Sequence, residues 1–167
     1  MLVELTGLLP VFDAPVTDRV WLVAAHGGAG CTTIRHGLPD VYADAGRALP
    51  VSVDSARPSR MVLCAMGTGR GLEALQGLLV EWSEGRFGSS LVVGCAVTDP
   101  VARMPRELVK GRLQLASVSP RLWRLPFIAG LELSGFPQRY PSAYARMARD
   151  LDLVGDGSTR GAGVDRR

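Results

Sequence analysis

The residues with the strongest chemical character lie in one stretch, His26-Gly27-Gly28-Ala29-Gly30-Cys31-Thr32-Thr33. Glycines at 27, 28 and 30 leave backbone N–H groups free to face an anion, and the threonines that follow can open a helix whose N-terminus adds positive potential. That is the outline of a phosphate-binding loop. The pattern G-x-x-x-x-G-K-[ST] nevertheless wants lysine where this chain has Cys31 and glycine where it has Ala25. A lysine from another register cannot repair the loop, because Lys110 is the only lysine in the chain. Two readings of the glycines therefore stand side by side: an anion nest, or a tight strand-to-helix turn with a structural role.

The neighbours of the glycines divide in the same way. His26 either supplies a cation when protonated or is a hydrogen-bonded turn residue. Cys31 sits where a helix N-terminus would favour a thiolate, but no His/Asp partner stands at a useful spacing, so a small packing residue is expected. Cys64 and Cys95 fall inside apolar runs and read as core. Three widely spaced cysteines suit a reducing compartment rather than a disulfide frame or a zinc site. A second cluster, Arg121, Trp123, Arg124 and Phe127, reads either as a core strand with arginines reaching outward or as a protein-contact patch.

These groups act together only if the chain delivers them to one place. Val20 to Ala25 is an uninterrupted apolar run ending near the glycines, as for a strand buried on both faces; Met61 to Met66 and Leu91 to Val97 are two more. Gly67-Thr68-Gly69-Arg70-Gly71 turns the second run into a helix whose Leu72, Leu75, Leu78, Leu79 and Trp82 recur at helical spacing. After Thr98-Asp99-Pro100 come a helix from about Arg106 to Leu115, and an alternating strand within Val118 to Phe127, ended by Pro126, with Trp123 and Leu125 on one face. A last helix spans about Ser142 to Leu153. The helix after the glycine loop must be short or kinked, since Gly37 and Pro39 follow closely and an interior proline costs about 3 kcal/mol. Asp40 to Leu49 then reads as a second short helical piece, and Pro50 to Asp54 as a brief strand.

Strand, glycine turn, helix, repeated, predicts an α/β fold: a three-layer, mainly parallel sheet flanked by helices. Ligands in such sheets bind beyond the carboxyl ends of the strands, where His26 to Thr33, Asp54, Gly67 to Gly71 and Asp99 are expected to collect. Residues 1–19, broken by Gly7, Pro10 and Pro15, read as an arm without a regular element; 20–153 form one domain, and 154–167 are disordered by composition. A hydrophobic share of 47% over 167 residues supplies a core for that one domain. The net charge of +3 is too small to imply a nucleic-acid surface; Arg103, Arg106, Lys110, Arg112, Arg121 and Arg124 read as a solvated face, with a polyanion site as the rival. Met1-Leu2-Val3-Glu4 carries no positive leader and no apolar run approaches the ~20 residues of a membrane span, so a cytoplasmic protein is expected.

The glycine loop resembles the deviant Walker-A loop of the ParA/MinD-type P-loop ATPases, K-G-G-x-G-K-[ST]-T, with His26 and Cys31 in place of the two lysines. The run from Met61 with its helix resembles that family's strand and helix after the switch region. Leu91-Val-Val-Gly-Cys-Ala-Val-Thr-Asp-Pro is similar to the strand that ends near the base-binding residue, and Leu122-Trp-Arg-Leu-Pro-Phe to the terminal x-I-P strand. The likeness spans about residues 20–128. The chain is also similar to a group of actinobacterial proteins that share the glycine loop and a W-R-x-P segment. The resemblance implies a reduced P-loop NTPase-like fold and a nucleotide loop over His26, Gly27, Gly28, Ala29, Gly30, Cys31, Thr32 and Thr33. It also implies Thr32 as the Mg²⁺-side hydroxyl and Asp54 as the one nearby remnant of a Walker-B acid.

Two lost lysines, each worth about 1.5–3 kcal/mol as a charge-assisted donor, weaken nucleotide binding by roughly 10²- to 10⁴-fold. Loss of one preorganised transition-state donor already costs about 10²–10³ in rate. The expectation is a pseudo-NTPase without a cofactor that acts as scaffold or adaptor with other protein subunits, or with further copies of itself, in a larger cytoplasmic assembly. One alternative is a lysine-independent protein that binds or weakly hydrolyses ATP or GTP with Mg²⁺ and draws on Arg35, Arg57, Arg60 or Arg70. Another is a polyanion-binding module.

Overall fold

The three continuous apolar runs become the centre of a parallel sheet. The computed structural model describes residues 7–157. Along the chain lie β1 (Val11–Ala14), β2 (Val20–Ala24), α1 (Cys31–Gly37), β3 (Tyr42–Gly46), β4 (Leu49–Ser52), β5 (Arg60–Met66) and α2 (Gly69–Ser83). They are followed by β6 (Leu91–Thr98), α3 (Arg106–Val118), β7 (Leu122–Leu125), α4 (Leu131–Ser134) and α5 (Ser142–Gly157). The main sheet has the order β3-β2-β5-β6-β7, with every pair parallel. Its five strands, counted along the chain, therefore stand in the order 2-1-3-4-5, a doubly wound arrangement that reverses direction between β2 and β5.

Alternation along the strands divides the core between two faces. Met61, Leu63, Ala65, Cys95 and Val97 meet Leu72, Leu75, Leu78 and Leu79 of α2 and Leu115 of α3. Leu22, Ala24, Val62, Cys64, Ala96, Trp123 and Leu125 meet Ile34 of α1 and Tyr144, Met147 and Leu151 of α5. Both faces are covered, which is why these strands read as unbroken apolar runs. The α/β class, the layering and the parallel sheet are as expected. Among the described residues no helix is long and apolar enough to cross a membrane.

Three local expectations are corrected. The N-terminal arm holds a strand: β1 pairs in parallel with β4, Val11 opposite Leu49 and Ala14 opposite Ser52, as a separate two-stranded sheet. Pro10 and Pro15 flank this strand rather than interrupt it, and Phe12 packs edge-on against Trp21 at 5.7 Å. The second correction is Asp40 to Leu49, which contains β3 instead of a helix. Tyr42 is buried there, and the ladder to β2 sets Val20 opposite Tyr42 and Leu22 opposite Asp44; tertiary pairing overrides local propensity. Third, the threonines do not open α1: the helix begins at Cys31, and its cap is Gly30, whose φ of 92° an L side chain rarely adopts. Helix α5 continues past Leu153 to Gly157, and the rest of the expected disordered tail lies outside the described residues.

Candidate functional site

Beyond the carboxyl ends of the main strands lies a cavity of about 830 Å³. Its rim is made as the sheet ladders run past the strand ends: Ala25 N–H donates to Cys64 O (2.9 Å), Gly67 N–H to Thr98 O (2.8 Å) and Asp99 N–H to Leu125 O (2.8 Å). The whole glycine loop from His26 to Thr33 lines it, together with Asp44, Gly46, Arg47, Met66, Thr98 and Asp99. The 127–133 segment, Phe127, Ile128, Leu131, Glu132 and Leu133 among it, closes the far side. A volume in this range suits a small organic ligand.

The loop is held open by backbone, not by charge. Gly28 and Gly30 have φ of 77° and 92°, and nothing stands within 4 Å of where a Cβ would be at Gly27 or Gly28. His26 fastens the loop to β5. Its Nε2 accepts the Met66 N–H at 3.0 Å, and its Nδ1 lies 2.8 Å from Gly27 O. An acceptor at Nε2 and a carbonyl partner at Nδ1 are satisfied together by the neutral Nδ1–H tautomer, assigned from this network. The imidazole is therefore a latch in this arrangement and does not replace a lysine. Helix α2 must pass close by: a Cβ on Gly71 would lie 2.1 Å from Met66 O and 3.0 Å from His26 Nε2.

Cys31 is buried with Cys64 in the α1/α5-side core, in line with the packing reading. The Cys64 thiol is held well above its ordinary range, first by its hydrogen bond with Cys31 and then by burial; burial pushes Cys95 up to about 12. Asp99, at 2% exposure, is neutralised within the wall. Its Oδ1 takes Arg112 at 3.3 Å, and its Oδ2 takes Arg124 at 2.6 Å through Nη2 and at 2.8 Å through Nε. The hydrogen bond to Asp99 in turn raises the Arg124 guanidinium.

Several residues marked by the sequence are placed elsewhere. Asp54 follows β4 in the small sheet, is exposed, and accepts the Ala56 N–H at 3.0 Å; it does not line the cavity, since β4 never joins the main sheet. Arg60 donates to Asp18 O (3.0 Å) at the amino end of β5, and Arg57 lies in the loop before it. Arg35 and Arg70 are exposed on α1 and α2, outside the cavity lining. Of the Arg121, Trp123, Arg124 and Phe127 group, Trp123 is in the core, donating from Nε1 to Asp150 Oδ2 at 2.9 Å. Arg121 lies over that ring at 5.4 Å and pairs with the same oxygen at 2.7 Å. Phe127 alone of the four lines the cavity, 40% exposed at its mouth.

Asp44, Arg47 and Glu132 line the cavity and are not apparent from the motif. The signal for Asp44 and Arg47 was the short alternation Tyr42-Ala43-Asp44-Ala45 running into Gly46, which a helical reading hides. No lysine stands in the resulting donor set to meet a Mg²⁺-bound triphosphate. The lining carries Asp44 and Glu132, with Asp99 already paired to Arg112 and Arg124, against Arg47 as its one cationic side chain among the described residues, and Asp54, the acid expected as a Walker-B remnant, is absent from it. Compared with known proteins, the chain matches no protein-family model and no curated protein.

Proposed function

We propose that this chain is a ParA/MinD-like protein that no longer hydrolyses nucleotide and serves as a scaffold or adaptor in a larger cytoplasmic assembly. The observation that carries this reading is what the kept glycine frame faces: no lysine stands in the lining, Asp99 is already neutralised by Arg112 and Arg124, and the remaining charged side chains are Asp44 and Glu132 against Arg47. Four or more negative charges of a nucleotide polyphosphate would find no net positive side-chain charge there, with only Arg47 and backbone N–H groups to hold them. The mouth supports the second half of the reading. Phe127 and Leu133 (94% exposed), both in the cavity lining, place large apolar side chains in water on one segment, as at a protein-contact surface.

The test is quantitative co-purification of the native protein with mass spectrometry, repeated on Phe127→Asp and Leu133→Asp. A stoichiometric protein partner that both substitutions release is the expected result; a chain that purifies alone, or a partner indifferent to both, refutes the adaptor role. A second reading, lysine-independent nucleotide binding, is favoured by Arg47, which lines the cavity and has no ion pair or hydrogen bond among the described residues. It predicts calorimetric ATP or GTP binding that Gly30→Glu abolishes.

A further inference from the structure

We infer that the β3 flank of the cavity is a ribose site, and that its ligand is a ribonucleoside with free 2′- and 3′-hydroxyls and no polyphosphate. The inference rests on the non-hydrolysing reading of the same cavity and adds the ligand's chemical class. Position comes first. The sheet reverses direction between β2 and β5, and β3 lies beside β2, the strand that empties into the glycine turn. In the dinucleotide-binding members of the doubly wound class, an acid about 20 residues beyond the glycine turn hydrogen-bonds the ribose 2′-hydroxyl. Asp44 stands two residues before the end of β3.

Its geometry fits the task. Asp44 Oδ1 accepts the Gly46 N–H at 2.8 Å, which sets the carboxylate, and Oδ2 has no protein partner among the described residues. Asp44 alternates in register with buried Tyr42, so it stands on the α1/α5 side of the sheet. Gly46, with φ of 61°, has nothing within 4 Å of a Cβ position, which leaves room for a sugar beside the carboxylate. Asp99, the other strand-end acid, is already taken by Arg112 and Arg124. Across the cavity Phe127, Ile128 and Leu131 offer an apolar wall for a flat base. With Asp99 so occupied, the lining sets Asp44 and Glu132 against one free cation, Arg47, which matches a ligand of little or no negative charge.

The experiment is calorimetry on the full chain with adenosine, guanosine, their 2′-deoxy forms and Mg²⁺–ATP, on wild type and on Asp44→Asn. The asparagine keeps an Oδ1 acceptor for Gly46 N–H and removes the charge. We expect one ribonucleoside to bind, and its affinity to fall about tenfold or more on removing the 2′-hydroxyl and again in Asp44→Asn, as for loss of a hydrogen bond to a charged group. Equal affinity for ribo and 2′-deoxy forms on wild type overturns the ribose site even if the variant fails to fold. So does absence of any nucleoside binding at millimolar concentration. Turnover of Mg²⁺–ATP would instead refute the non-hydrolysing reading, an outcome separate from either of these.

Discussion

Replacing Gly71 by alanine sets two physical effects against each other in one residue. Alanine is the better helix former by about 1 kcal/mol, so an isolated reading of α2 expects stabilisation. In the folded chain the new Cβ would stand 2.1 Å from Met66 O and 3.0 Å from Met66 C and His26 Nε2. Ordinary contact needs a shift of about 1 Å, and neither side is free to give it. Met66 is held through its N–H by His26, Gly67 N–H by Thr98 O, and α2 by Leu72 and Leu75 in the core and by the Thr68 cap. Overpacking this close to backbone belongs at the upper end, about 3 kcal/mol or more, so the balance is destabilising by roughly 2 kcal/mol or more, a fall in Tm of at least about 4–8 °C for a domain of this size. Gly69→Ala is the control, since nothing lies within 4 Å of its Cβ position; it should stay within about 1 kcal/mol of wild type. Thermal and urea denaturation followed by circular dichroism measure both, and the His26 ring resonances should shift in Gly71→Ala alone. A Gly71→Ala protein as stable as wild type, or more so, would refute the close packing of α2 on the glycine loop.

Other consequences can be measured on the same protein. His26→Ala leaves the Met66 N–H without its acceptor and should speed exchange of that amide about tenfold, with smaller changes elsewhere in β5, as read by hydrogen-exchange NMR. Asp99→Asn leaves Arg112, mostly buried, without a full countercharge and should cost roughly 2–4 kcal/mol in urea titrations; an unchanged midpoint would mean that the pair is not formed in solution. Burial raises all three tyrosines, Tyr144 to about 12 and Tyr42 higher still. Because their folded values exceed the ordinary 10.0, the stability they contribute is complete below pH 10 and is lost as pH climbs toward 12. Phenolate absorbance at pH 10 should be clearly lower in the native than in the denatured protein, and Tyr144→Phe should flatten the alkaline fall in stability.

What could be read from the chain was whatever burial on two faces imposes on it. β2, β5 and β6 were visible as unbroken apolar runs, and α2 as a helical stripe, because each is covered by the sheet or lies against it. β3 was not, since it is the edge strand and only Tyr42 is deeply buried, so a few alternating residues were all the signal it left. The β1–β4 pair depends on a contact between residues far apart in sequence, Val11 opposite Leu49, that local proline punctuation hides. The same gap in the reading concealed half of the site. A helical Asp40 to Leu49 hides Asp44 and Arg47 as strand-end groups and leaves Asp54 as the acid expected beside the loop. The loop itself was legible, because glycines at positive φ are a backbone requirement that no distant contact can replace.

The account turns on whether a glycine loop of this charge can still act on a nucleotide. Phosphate release from Mg²⁺–ATP and Mg²⁺–GTP by the purified full chain, alongside Thr32→Ala, tests this most directly. No turnover above the buffer rate, identical in both proteins, is the result the structure leads us to expect; turnover by the wild type that disappears in Thr32→Ala would contradict it.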